Sequence, residues 1–212
     1  MPDAKQDVPD AAGKGDRDKD VLITGKHELD KKIDDGIPLR SLTLIEGEHD
    51  SGKSVLAQQI VWGGMKQGLN IDIISSEITP RNFLTQMEAM ALDISDYYAW
   101  GYIRLFPLVV QRIDLEKEDM EELLKKLLLH IKETPAQIII IDSLTLFTEH
   151  TTNEVIIDFF TECKTLCDRG KTIFVSLHPY AFDEDSLVRI RAICDIILTL
   201  KRALMGEKYL MV

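Results

Sequence analysis

LTLIEGEHDSGKSVLAQQIVWGGMKQG, residues 42–68, joins an apolar run, a glycine-bounded polar loop and a helical repeat. An apolar run from Leu42 to Ile45 leads into a polar loop bounded by glycines, and from Val55 to Lys66 apolar side chains recur at helical spacing until Gly68 stops them. The reading is strand, loop, helix. The loop, Gly47-Glu48-His49-Asp50-Ser51-Gly52-Lys53-Ser54, has the spacing G-x-x-x-x-G-K-[ST]. Its glycines let successive backbone N–H groups turn inward around a phosphate, and the helix that follows points its positive end at the same place. In that setting Lys53 reaches for β and γ oxygens, Ser54 sets its hydroxyl on Mg2+, and Val55 opens the helix. The competing reading is a glycine turn followed by an ordinary helix cap at Ser51.

Outward from this unit the same alternation continues. From Val21 onward, apolar runs ending in small or polar residues are each followed by a helical stretch, which specifies an α/β domain with a largely parallel sheet covered by helices over residues 21–212. A run from Ile71 to Ile74 ends at Ser75, Ser76 and Glu77, and Thr79 with Pro80 then supply an N-cap and a first-turn proline for a helix reaching about Met90. A weaker strand over Tyr102–Val110 precedes a charged amphipathic helix from about Leu115 to Lys132. The run Gln137–Asp142, QIIIID, is apolar without alternation and predicts a central strand buried on both faces. A helix from about Asn153 to Arg169, a strand from Lys171 to His178, the loop HPYAFDED (178–185) and a strand from Asp195 to Leu200 follow. The apolar run after Gly206 predicts a hairpin whose second strand is cut short.

Several side chains beyond the loop are candidates for chemistry. Asp142 closes the apolar strand in the Walker-B manner, where a carboxylate holds a magnesium water or Ser54 in place. Glu77, read as following a strand beside the phosphate loop, could polarise a water for in-line attack on a γ-phosphate; the alternative is a solvent-facing acid near a helix N-terminus. His178, at a strand end before a proline, could contact that phosphate or be structural. Lys201 and Arg202 could reach a neighbouring subunit's site or simply be solvated.

Bulk properties narrow the classes. The 212 residues are 45% hydrophobic, enough for a sizeable core. Asp plus Glu number 36 against 25 Lys plus Arg, and the net charge of −11 disfavours nucleic acid and anionic membranes as partners. Apolar runs such as Ile138–Ile141 fall far short of the roughly 20 residues that cross a bilayer. Residues 1–20 are nearly devoid of large apolar side chains and predict a disordered tail with no secretory signal, hence a cytosolic protein. Cys163, Cys167 and Cys194 lack metal-site spacing and read as reduced thiols.

With both Walker elements, Glu77 after the second strand, and no arginine-rich lid of the kinase kind, the chain resembles the KaiC-like branch of RecA-type P-loop ATPases from roughly Gly25 onward. Within that branch it is most similar to the accessory ATP-binding proteins of the archaellum, the archaeal flagellum. The residues carrying this are 44–68 (LIEGEHDSGKSVLAQQIVWGGMKQG), 138–145 (IIIIDSLT) and 178–184 (HPYAFDE). The resemblance implies a RecA-like fold, ATP with Mg2+, a homo-oligomeric hexameric ring, and docking on the motor's secretion ATPase and through it on the membrane platform protein. It also implies a cytoplasmic position at the motor base, and weak or absent hydrolysis. Circadian-clock relatives carry two adjacent glutamates where this chain has Ser76 and a single Glu77. Two alternatives use the same loop. A RecA-type motor on DNA would need basic, aromatic loops, whereas Phe147–Glu154 and Pro179–Asp185 are acidic or neutral. A P-loop kinase would need mobile arginines over the phosphates, whereas Arg81, Arg104 and Arg112 are scattered.

Overall fold

The computed structural model describes residues 20–33, 35–108, 117–148, 151–205 and 208–211. The tail expected over residues 1–20 lies outside these apart from Asp20, as do Val109, Val110, Arg112 and Leu115. In chain order the elements are β1 (Val21–Leu22), α1 (His27–Lys32), β2 (Ile37–Pro38), β3 (Leu42–Gly47), α2 (Lys53–Lys66), β4 (Ile71–Ser75), α3 (Pro80–Ala89), α4 (Ser95–Ala99) and β5 (Ile103–Pro107). Then come α5 (Lys117–Glu133), β6 (Ile138–Asp142), α6 (Thr145–Thr148), α7 (Asn153–Asp168), β7 (Thr172–Leu177), a 3-10 turn (Pro179–Ala181), α8 (Glu184–Ile193), β8 (Ile196–Leu200), β9 (Arg202–Met205) and β10 (Lys208–Met211).

Six strands form one parallel sheet in the order β5-β4-β6-β7-β3-β8, flanked by helices on both faces. This is the expected α/β architecture, and the two-sided cover explains the unbroken apolar runs. In β6, Ile138 and Ile140 pack with Leu56 and Ile60 of α2 and Phe83 and Met87 of α3. Ile139 and Ile141 pack on the other face with Leu124 and Ile131 of α5, Phe160 of α7 and Ile190 of α8. Each such side chain contributes about 1.5–3 kcal/mol by leaving water, which is why a strand with no polar alternation belongs inside. β6 sits between β4 and β7, as its composition requires.

Local signals set several boundaries. Thr79 caps α3 by accepting from the Asn82 amide at 3.4 Å, with Pro80 in the first turn. The stretch 178–185 is only partly a loop. Asp183 caps α8 by accepting from the Ser186 amide and hydroxyl, both at 2.8 Å, so Glu184 and Asp185 already form the first helical turn. β9 and β10 pair antiparallel over four residues each as a separate ribbon, with Arg202 opposite Met211.

Because the six strands are parallel, their carboxyl ends share one edge. Gly47 is paired with Leu200 and Ser75 with Asp142, and Leu177 ends β7 beside Glu46. One expectation is corrected here. β6 and β7 stand between β4 and the phosphate-loop strand β3, so Glu77 does not follow the strand beside that loop.

Candidate functional site

The loop between β3 and α2 closes on positions that only glycine fills. A Cβ on Gly47 would stand 2.3 Å from Ser51 Oγ and 2.8 Å from the Leu200 carbonyl oxygen. Gly52, with φ 94°, caps α2 in the left-handed region and offers no side chain to the first-turn amides. The cap is therefore not Ser51. Its hydroxyl is buried without a hydrogen-bond partner among the described residues. An orphaned buried hydroxyl costs about 1–3 kcal/mol, and uncapped helix amides favour an anion. Both features fit a bound phosphate group.

Lys53 is 6% exposed and donates to the Gly47 and Glu48 carbonyls, both at 2.9 Å, and to His178 Nδ1 at 3.2 Å. Burial holds its ammonium below the usual lysine range, while Glu77, Asp142 and Asp50 pull it back up. His178 is lowered too, first by burial and then by Lys53, which keeps the imidazole neutral near pH 7. His178 Nδ1 lies against Lys53, and Nε2 faces Glu77 Oε1 at 3.9 Å. Glu77 thus joins the cluster through His178.

Asp142 Oδ1 accepts from Ser176 Oγ at 2.5 Å, and the nearby Ser54 hydroxyl also favours the charged form of this carboxylate. Burial pushes the Asp142 carboxyl above the usual carboxylate range, and Glu77 adds to the rise against Ser176, Ser54 and Lys53. The Asp142 and Ser54 oxygens are hard ligands suited to Mg2+, which typically takes one or two protein groups and completes its shell with phosphate and water. Ser54, Asp142, Glu77, Gln58, Asn82 and Gln86 line a cleft of about 220 Å³.

On the other flank of the loop lies a cavity of about 800 Å³, bordered by Gly47, His49, Tyr180, Thr199, Leu200 and Lys201. That volume falls in the range of small-molecule sites. Its wall includes an ion pair on the buried Glu46 carboxylate, to which half-buried Arg191 donates at 2.9 and 2.8 Å and Thr199 at 2.9 Å. The rings of His49 and Tyr180 flank that of His178 at centroid distances of 6.0 and 5.2 Å.

The KaiC ATPase family model matches residues 22–210. The chain belongs to the KaiC family of ATPases. It is 29% identical over 188 residues to the archaeal flagellar ATP-binding protein FlaH of Sulfolobus acidocaldarius, covering 89% of this chain and 82% of that one. To FlaH of Methanocaldococcus jannaschii it is 32% identical over 177 residues, covering 78% and 71%. The crystal structure of the flagellar accessory protein FlaH from M. jannaschii has the same fold. Its TM-score is 0.75 at 24% identity, covering 90% of this chain and 84% of that one.

In this KaiC-family chain the fold brings Gly47 to Ser54, Asp142, His178 and Glu77 into one cluster. Val55 is exposed in the first turn of α2 and lines neither cavity. Lys201 borders the larger cavity, and the side chain of Arg202 lies outside the described residues. Arg104 is engaged with Asp72 at the start of β4, remote from the loop. Sequence reasoning did not single out Ser176, Glu46, Arg191, Thr199 or Tyr180. Ser176 had a signal, being the polar residue in a strand buried on both faces, two before His178. The Glu46–Arg191 pair had none, since 145 residues separate its partners. Among the described residues no helix is long and apolar enough to cross a membrane.

Proposed function

We propose that this chain is an archaeal flagellar ATP-binding protein in which nucleotide controls assembly more than it drives work. The observation carrying this reading is the convergence of Lys53, His178, Ser54 and Asp142 on a loop whose buried Ser51 hydroxyl has no hydrogen-bond partner among the described residues and whose helix is capped by a glycine.

The residues then divide the task. The amides from Gly47 to Ser54 wrap the phosphates, and Lys53 exchanges the Gly47 and Glu48 carbonyls for β and γ oxygens. Ser54 and Asp142 would hold Mg2+, whose positive charge would neutralise phosphate oxygens. Tyr180 and Leu200 border the space for the base. When Lys53 turns to phosphate, His178 loses its contact with the Lys53 ammonium and transmits that change to the turn Pro179–Ala181 that follows it. Glu77 is the candidate base. It is 44% exposed and tied to the cluster by one 3.9 Å contact with His178, a loose hold on a water and a reason for slow hydrolysis.

Likeness to FlaH supports the remaining assignments: a homo-oligomeric ring, taken as a hexamer, which serves motility from the cytoplasmic base of the archaellum. There it contacts the motor's secretion ATPase and, through it, the membrane platform. Mass measurement of the parent and of Lys53→Ala, each shown to be folded, with and without ATP and Mg2+, tests the reading. An ATP-dependent rise in mass confined to the parent is expected. Equal assembly of both proteins refutes nucleotide control.

A further inference from the structure

Three aromatic side chains that the nucleotide site does not use gather at the opposite edge of the sheet. Tyr97 lies in α4, Trp100 caps that helix, and Tyr102 immediately precedes β5. Their ring centroids stand 6.1, 6.3 and 6.5 Å apart, so the three rings form one cluster. Gly101, with φ 78°, turns the chain between Trp100 and Tyr102. Trp100 is nevertheless 66% exposed and Tyr102 51%. Tryptophan and tyrosine left in water together mark recognition surfaces, because their rigid rings yield large contact area at low entropic cost. The patch lies where β5 begins, whereas Glu77 and Asp142 lie where parallel strands end.

The charge around the rings selects the occupant. From Glu88 to Ile103 the sequence holds Glu88, Asp93 and Asp96 and no Lys or Arg, and all three carboxylates belong to exposed residues. The next cation, Arg104, is already bonded to Asp72 and Thr134. The Trp100 amide donates to the Asp96 carbonyl at 2.9 Å, one helical turn back, so the carboxylate and the indole share a face. A ring face beside a carboxylate fits a guanidinium, which stacks on one and pairs with the other. Phosphate-bearing surfaces meet repulsion instead.

We propose that the Tyr97, Trp100 and Tyr102 surface docks an arginine-bearing segment of a protein partner, with arginine stacked on Trp100 and paired to Asp96. The site stands apart from the nucleotide reading. The test uses the full chain and a fluorescein-labelled decapeptide of alternating arginine and glycine, followed by anisotropy at 0.15 M salt. A lysine–glycine peptide of equal charge and phosphatidylglycerol vesicles serve as comparators. The expected result is saturable binding that favours the arginine peptide over the lysine peptide. Trp100→Ala should weaken it about fivefold or more and Asp96→Asn by a smaller factor, while Lys53→Ala leaves it unchanged. Circular dichroism confirms that each variant is folded. Equal binding by Trp100→Ala overturns the proposal, because general attraction to an acidic protein then accounts for it. So does equal affinity for the two peptides, vesicle binding that depends on Trp100, or self-association of the chain that Trp100→Ala abolishes.

Discussion

Replacing Asp142 with Asn should move stability and ligand binding in opposite directions. The carboxylate is 5% exposed, and its pKa is raised mainly by burial and further by Glu77. A folded-state pKa above the unfolded value means stability is fully present below the unfolded pKa and is lost as pH rises through the folded one. At neutral pH the ionised group therefore weakens the ligand-free protein. Asparagine keeps an oxygen for the Ser176 bond and removes the charge. A gain of about 1 kcal/mol is typical of relieving such a site, and in a chain of this size it raises Tm by about 2–4 °C. The gap should open with rising pH and close in acid. With Mg2+ and ATP at about 100 times the parent's Kd, the parent gains ~2.7 kcal/mol, whereas a variant binding ten times more weakly gains ~1.4 kcal/mol. Differential scanning fluorimetry from acid to neutral pH, with and without ligand, reads both effects. An Asp142→Asn protein that is less stable without ligand, or shifted as far as the parent by Mg2+ and ATP, would refute the reasoning.

Other perturbations probe other parts of the site. Gly47→Ala places a methyl against Ser51 Oγ and the Leu200 carbonyl; overpacking of this kind costs about 1–3 kcal/mol, visible as a lower denaturation midpoint and weaker nucleotide binding. Arg191→Met leaves the buried Glu46 carboxylate without its cation, and a loss of about 2–4 kcal/mol is expected in urea unfolding. Glu77→Gln should leave ATP binding intact and change phosphate release by less than about tenfold; a loss of a hundredfold or more would identify Glu77 as an effective general base. His178→Ala should retain ATP binding but uncouple it from assembly, so that mass no longer responds to nucleotide.

Short-range signals made most of the fold legible. The glycine spacing around Lys53, the apolar run Ile138–Ile141 and the Thr79-Pro80 cap each act within a few residues, and each appears where the sequence places it. Strand order is a long-range property. Nothing in Ile71–Ser75 says that β6 and β7 separate it from the phosphate loop, so the sequence alone suggests that Glu77 follows a neighbouring strand. Helix α8 escaped because its cap, Asp183 with Ser186, sits inside a proline-bearing loop that masks it. In the site, Lys53, Ser54, Asp142 and His178 were legible from their types and strand ends. The Glu46–Arg191–Thr199 wall depends on pairing across 145 and 153 residues, which spacing does not reveal. Tyr102 reads in the sequence as the start of a strand and Trp100 falls between elements, so neither is marked there as an exposed aromatic.

Titration calorimetry of ATP with Mg2+ into the parent and into Lys53→Met, both shown to be folded, tests the central claim most directly. Saturable, magnesium-dependent binding to one site per parent chain is expected, weakened at least tenfold in the variant by the loss of a buried charge-assisted contact. A folded parent that binds no ATP, or a variant that binds it equally well, would contradict it.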